Sequence, residues 1–270
     1  MSGIYEIKAM RSFIRLCGNG WELGYHERNG GNASLRLTAG EAALMEPFFS
    51  PRDWVPLPLA APSLSGALFI VTGSGKFMRD AALEPEENVC VIELDALGER
   101  FRVLWGLTEG GAPTSELCSH LLCHEAVGGS RSVIYHCHPP CIIALSYILP
   151  LEHKAFTDAL WRSMTECPIA APRGVGVLPW IVPGSVELGR QTSALLKRYD
   201  AAVCACHGLF CAGKDCGDAL GMAHTLEKSA DIYLRILSSG AAPLRSITGG
   251  DLRALSEAYS LDLNGEFLWD

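Results

Sequence analysis

Apolar positions near the N-terminus recur with helical spacing. Ile7, Met10, Phe13, Ile14, Cys17 and Trp21 fall on one stripe and predict an amphipathic helix over about 5–23. The period then changes. Gly30 and Gly31 stand between Asn29 and Asn32 and lead into alternating residues, the pattern of a turn entering a strand. Residues 38–66 carry Pro47, Pro51, Pro56, Pro58 and Pro62 with little periodicity and predict an irregular surface excursion. Residues 67–71 form a continuous apolar run, a buried strand, while 89–93 and 101–104 predict a hairpin across a turn at 95–99. Pro113-Thr114-Ser115-Glu116 opens a helix running to about 127, with Thr114 or Ser115 as N-cap and Glu116 in the first turn. A strand at 133–138 follows, then a buried helix over 142–149 that starts after Pro139 and Pro140. Further on, 168–170 reads as a strand, 185–198 as a helix, 201–208 as a strand ending in a histidine, and 218–237 as a long apolar helix that closes the core. Residues 241–270 carry no motif.

Candidate chemistry concentrates at 133–138. With a period of two, His136 and His138 share one face, and two imidazoles aimed at one volume are how a strand presents two ligands to one metal. A lone histidine at a strand end is mostly structural, so the pair carries the weight. His207 would add a third imidazole from a neighbouring strand and complete a three-histidine site with an open position. Cys137, Cys204 and Cys206 stand close by, which leaves a mixed Cys/His zinc site as the alternative. Strand alternation turns Cys137 away from His136 and His138, and Cys206 away from His207. Thr72-Gly73-Ser74-Gly75-Lys76 invites a nucleotide-loop reading, but Phe77 follows Lys76 and the first glycine of that pattern is missing. A small turn rich in N–H groups and a hydroxyl still suits a phosphate. His120 and His124 lie four apart on the 113–127 helix, yet Leu121 excludes the His-Glu-x-x-His signature, so both read as non-ligands. His224 reads as satisfied or solvent-facing.

Composition narrows the setting. With 270 residues and 49% hydrophobic content the chain can bury a sizeable core, and no internal repeat or low-complexity linker divides it, which predicts one domain over 1–270. The formal net charge of -8, without a block of like charges, gives no nucleic-acid footprint and no basic membrane-binding face. An anionic partner must therefore be held by local geometry. Eleven cysteines, odd in number and scattered among apolar residues, argue for reduced thiols in a cytoplasmic setting. Glu6, Lys8, Arg11 and Arg15 break up the N-terminus, which lacks the apolar segment of a signal peptide, and no apolar run reaches the roughly 18 residues that span a bilayer. The chain is expected to be soluble.

Five segments together resemble a known family. Glu27-Arg28-Asn29-Gly30-Gly31-Asn32, Thr72-Gly73-Ser74-Gly75-Lys76, Pro113-Thr114-Ser115-Glu116, His136-Cys137-His138 and His207-Gly208 occur in the order seen in class II sugar-phosphate aldolases. The likeness runs from the first helix to about residue 240, and Trp105-Gly106-Leu107-Thr108, Ser163-Met164-Thr165-Glu166-Cys167 and 178–184 carry it toward one ketose 1-phosphate aldolase of that family. The resemblance implies an α/β fold, a single three-layer domain with a central, largely antiparallel β-sheet and helices on both faces. It also implies a homotetramer with active sites near subunit interfaces, and retro-aldol cleavage of a small-molecule sugar phosphate to dihydroxyacetone phosphate and an aldehyde. Carried over position by position, His136, His138 and His207 would bind Zn²⁺, with Glu116 as the catalytic carboxylate beside it and Glu166 as a second acidic residue of the site. Asn29, Gly31, Asn32, Ser74, Gly75, Thr114 and Ser115 would hold the phosphate. Three other readings stay open: an aldolase or 4-epimerase of the same family acting on L-fuculose 1-phosphate or a pentulose 5-phosphate, a non-catalytic scaffold, and an unrelated zinc hydrolase. The intact histidine set and Glu116 argue against the scaffold, and the phosphate-binding segments against the hydrolase.

Overall fold

The computed structural model describes residues 3–269. Lys8–Glu22 forms the first helix (α1) and buries Met10, Phe13, Leu16 and Cys17 along the predicted stripe. The glycine turn then delivers β1 (Asn32–Arg36). Residues 38–66 are more ordered than their prolines predict. Ala39–Met45 is a helix (α2) closed by a capping box, in which Thr38 Oγ1 accepts from the Glu41 N–H and the Glu41 carboxylate accepts from the Thr38 N–H. Val55–Pro56 (β2) adds a short edge strand, and β3 (Leu68–Thr72) is the expected buried strand. After α3 (Pro85–Asn88), the predicted hairpin forms as β4 (Val89–Leu94) and β5 (Arg100–Gly106). Then come α4 (Leu117–Val127), β6 (Val133–Cys137), α5 (Pro140–Ile148) and α6 (His153–Trp161). The chain continues through α7 (Glu166–Ala170), β7 (Val175–Leu178), α8 (Val186–Leu196), β8 (Ala201–Cys204), β9 (Gly208–Gly213), α9 (Cys216–Ser238) and α10 (Gly249–Tyr259).

Three local expectations change. The stretch 168–170 is helical: Pro168 sits within the first turn of α7, where its missing N–H breaks no helical bond. Helix α5 is half-buried, since only Ile142 and Leu145 turn inward while Tyr147 and Ile148 are exposed. The run 201–208 breaks after Cys204. Cys206 takes a left-handed conformation (φ 58°), and the chain reverses into β9, so His207 lies on a tight turn rather than on a strand.

The described residues build a nine-stranded sheet in the order β2-β5-β4-β3-β1-β6-β9-β8-β7. Every neighbouring pair is antiparallel except β7–β8. Helices α1, α5, α6 and α9 cover one face, around Met10, Phe13, Phe156 and Leu226; α4 and α8 cover the other, around Leu121, Cys123 and Leu188. The mixed α/β fold with helices on both faces of a largely antiparallel sheet is therefore present. Alternation along β6 sends Val133, Tyr135 and Cys137 into the first core and Ile134 into the second, which places His136 on the α4 side. Along β1 it turns Asn32 and Ser34 the same way, because Ala33 and Leu35 enter the first core. Among the described residues no helix is long and apolar enough to cross a membrane.

Candidate active site

The register of three central strands builds the site. Asn32 of β1 and Phe210 of β9 pair with His136 of β6 from either side. The His136 ring stacks on Phe210, 4.0 Å between centroids, and its Nδ1–H donates to the Leu209 carbonyl at 3.1 Å. That bond puts the proton on Nδ1 and leaves Nε2 with its lone pair. His138, one residue past β6, donates its backbone N–H to the Tyr25 carbonyl at 2.9 Å, and its Nδ1 lies 2.7 Å from the Glu27 carboxylate, which sets the same tautomer. The two Nε2 atoms face each other at 3.3 Å. In the Nδ1-protonated tautomers the two lone pairs share one space, as two ligands of a single cation do.

His207 brings the third imidazole, and the three ligand atoms lie within 4.8 Å of one another. Its Nδ1 is buried with no partner among the described residues. Burial holds His136 well below the ordinary imidazole range and pushes His207 down to about 4, so both are neutral near pH 7. Imidazoles converging from three backbone positions fit a divalent metal, and the Glu27–His138 pair is the carboxylate–histidine arrangement that orients a ligand ring. No cysteine joins the cluster among the described residues: Cys137 lies in the opposite core, Cys204 packs with Ile134 and Phe210, and Cys206 is exposed. Gly208 lets the turn close, because a Cβ there would stand 2.5 Å from the Cys137 carbonyl oxygen and 2.8 Å from His138 Cδ2. The prolines after His138 start α5, whose first N–H groups, from Cys141 and Ile142, donate to the Glu227 carboxylate at 2.9 Å each.

Glu116 itself is the N-cap of α4, in place of Thr114 or Ser115. Thr114 is tied into the preceding turn: its N–H donates to the Thr72 carbonyl and its Oγ1 accepts from the Glu116 N–H. Only 5% exposed, Glu116 accepts from Asn32 Nδ2 through Oε2 at 2.8 Å and from the Gly184 N–H through Oε1 at 3.2 Å. Its Oε2 lies 3.4 Å from His136 Nε2. A bridge between Gly73 and Pro113 sets the 72–76 turn beside the 113–116 turn.

Together these segments line a cleft of about 190 Å³ that brings Asn29, Gly31, Asn32, Ser74, Gly75, Thr114, Ser115, Glu116 and the three histidines into one place. No lysine or arginine is among its lining residues, and the backbone N–H groups of Gly75 and Ser115 have no partner among the described residues. An anion there meets neutral donors. Gly73, Pro183 and Gly184 also line the cleft. Glu166 does not: it is exposed on α7. Sequence reasoning missed Glu27, although it opens the Glu-Arg-Asn-Gly-Gly-Asn segment, and missed His26, which donates from Nδ1 to the Gly30 carbonyl and accepts at Nε2 from the Tyr135 hydroxyl. A larger groove of about 700 Å³ beside α2 has no such convergence, and its Arg102 is paired with Glu93 at 2.6 Å.

The family model for the Class II Aldolase and Adducin N-terminal domain matches residues 11–234. The chain belongs to the class II aldolase family. Among the relatives of this class II aldolase, the rhamnulose-1-phosphate aldolase of Pectobacterium atrosepticum is 40% identical over 266 residues, 97% of each chain. That of Yersinia pestis is 39% identical over 269 residues, again 97% of each. A sugar-phosphate aldolase from Thermotoga maritima superposes with a TM-score of 0.75 at 26% identity, covering 87% of this chain and 97% of that one. The L-fuculose-1-phosphate aldolase from Thermus thermophilus shares the fold, with a TM-score of 0.60 at 21% identity over 88% and 98% of the two chains. As a class II aldolase the chain is a metal-dependent lyase, and the three-histidine cluster is where the metal fits.

Proposed function

We propose that this class II aldolase cleaves L-rhamnulose 1-phosphate to dihydroxyacetone phosphate and L-lactaldehyde, with Zn²⁺ on His136, His138 and His207. One observation carries the reading: three imidazoles and one buried carboxylate meet in a cleft whose other walls are neutral donors. The choice of substrate is supported by likeness to two rhamnulose-1-phosphate aldolases along nearly the whole chain.

Cleaving a carbon–carbon bond next to a carbonyl leaves an electron pair that spreads onto the substrate oxygens. A divalent cation, when bound, stabilises that charge as a Lewis acid. No lysine lines the cleft among the described residues, which leaves no Schiff-base partner. Asn29, Gly31, Asn32, Ser74, Gly75, Thr114 and Ser115 hold the phosphate through amide, hydroxyl and backbone donors ahead of α4. Holding this non-reacting group fixes the reacting carbons, which is where positional catalysis arises. Glu116, beside the imidazoles, would help hold such a cation, and its carboxylate is placed to take a proton from solvent and deliver it to the carbon, while the hydroxyl proton released as the aldehyde forms returns to solvent.

The same reading takes the chain as one domain over 1–270, acting in the cytoplasm in L-rhamnose breakdown as a homotetramer. Eleven free cysteines, of which only Cys206 is exposed, suit a reducing compartment. Trp180 and Val182, 58% and 57% exposed beside Pro183 and Gly184, suit a subunit contact near the cleft. Glu166 would join the catalytic set only if the partner subunit's Glu166 reached this cleft.

The test is release of dihydroxyacetone phosphate from L-rhamnulose 1-phosphate and L-fuculose 1-phosphate, measured before chelation, after it, and after zinc is restored. Zinc-dependent cleavage favouring the rhamnulose ester is the expected result. Preference for the fuculose ester would overturn the substrate, and cleavage of neither by folded, zinc-loaded protein would overturn the aldolase reading.

A further inference from the structure

Behind the cleft's carboxylate runs a buried line of side chains that starts at Asn32 and continues through His120, Ser34 and His124, the last three of which have no part in the proposed reaction. Asn32 Nδ2 donates to Glu116 Oε2 at 2.8 Å, which leaves Asn32 Oδ1 to accept from His120 Nε2 at 2.5 Å. His120 is fully buried, and burial pushes it down to about 3, so it is neutral and its one ring proton is on Nε2. Its Nδ1 must then accept from the Ser34 hydroxyl at 2.7 Å. With that proton used, Ser34 Oγ accepts from His124 Nε2 at 2.8 Å. The line ends at His124 Nδ1, a buried lone pair with no partner among the described residues.

Each donor is forced by the one before it, so all four bonds point toward Glu116. Turning the Asn32 amide over would set its carbonyl against the carboxylate and its NH₂ against the His120 N–H. Packing alone does not account for the arrangement, because an apolar side chain at 124 would leave no orphaned acceptor in the core, and such an acceptor is costly. A lysine or arginine in place of this line would hold the carboxylate too, but it would compete with a metal for its charge. A row of neutral dipoles orients Glu116 without that competition.

We infer that His120, backed by Ser34 and His124, is a positioning residue for the reaction: it locks the Asn32 amide with its NH₂ toward Glu116 and so holds Oε2 turned to the imidazole cluster. The inference rests on the proposed role of Glu116. His120→Phe fills the volume and removes the donor to Asn32, while His120→Gln returns an amide donor.

In zinc-loaded protein assayed for ester cleavage, His120→Phe should lose about 10- to 100-fold in kcat with KM within about threefold, and His120→Gln should recover most of the loss. In an Asn32→Ala background, His120→Phe should cost less than about a further twofold, because no amide remains to be locked. Ring-nitrogen NMR of the unsubstituted chain should find His120 and His124 neutral and protonated on Nε2. Full kcat in His120→Phe, the same further loss without the Asn32 amide, or protonation of either ring on Nδ1 would overturn the inference. Should His120→Phe fail to fold, Ser34→Ala cuts the line one bond further back. It should show a smaller loss confined to kcat, and unchanged kcat in it would count against the relay. If the unsubstituted chain is active and His120→Phe keeps full kcat, this inference alone falls. If the unsubstituted chain cleaves neither ester, the aldolase reading falls and takes this role with it.

Discussion

Removing the carboxylate behind His138 probes how the ligand geometry is maintained. Glu27 meets His138 Nδ1 with both oxygens, at 2.7 and 3.0 Å, and holds the ring so that its Nε2 faces that of His136 at 3.3 Å. The Glu27 side chain is 68% exposed, so its hydrogen bond to the ring is weakened by solvent and contributes about 0–1 kcal/mol. Freeing the ring matters more, since loss of an outer partner lowers metal affinity by about 10- to 100-fold. The lower end applies here, because His136 stays fixed by the Leu209 carbonyl and the Phe210 stack. Glu27→Ala should therefore weaken zinc binding about tenfold, or about 1.4 kcal/mol. Glu27→Gln keeps an acceptor for the Nδ1 proton and should remain within about threefold of the parent chain. Competition against a chromogenic chelator at fixed pH measures both, with thermal unfolding of the metal-free forms as a control for the fold. Parent-like affinity in Glu27→Ala, or equal losses in the alanine and glutamine variants, would refute the orientation argument.

Gly208→Ala should cost about 1–3 kcal/mol of stability and lower the metal content, since its Cβ would press on the Cys137 carbonyl and the His138 ring; normal unfolding and normal metal analysis together would contradict this. His138→Ala should lose both zinc and cleavage, and a full complement of tightly held metal would remove the triad. Acid should destabilise the metal-free fold through its buried neutral histidines. His26 and His120 are held at about 4 and about 3 by burial, below the ordinary 6.5, so the unfolded chain takes up protons first. Stability is then complete above about pH 6.5 and falls as pH drops toward 4, by up to about 1.4 kcal/mol per pH unit for each histidine. Denaturant midpoints across that window check it, and a flat profile would contradict the burial argument.

Much of the fold and site was legible because local pattern and tertiary environment agree. The α1 stripe, the β4–β5 hairpin and the His136/His138 alternation each need only one period to be read. Other elements hid where two signals compete. Proline density between 38 and 66 masked the Thr38/Glu41 capping box that starts α2, and a short apolar run containing Pro168 looked the same whether strand or helix. His207 joins the expected cluster from a turn rather than from a strand, since the break after Cys204 depends on Cys206 adopting a positive φ that nothing nearby announces. Glu27, Gly184 and His120 could not be placed at all, because each acts through a partner far along the chain: His138, Glu116 and Asn32 respectively. The phosphate segments were readable as turns rich in donors. Only tertiary pairing makes them neighbours: the Gly73–Pro113 bridge joins two of the turns, and the β1–β3 pairing brings in the third.

In the proposed reaction Glu116 carries the proton between solvent and the reacting carbon. Dihydroxyacetone phosphate incubated with zinc-loaded enzyme in deuterated water, without aldehyde, isolates that step. The parent chain should exchange a carbon-bound proton readily, and Glu116→Gln, with its zinc retained, should do so at least about 100-fold more slowly. Exchange at the parent rate in folded, zinc-loaded Glu116→Gln would contradict that role.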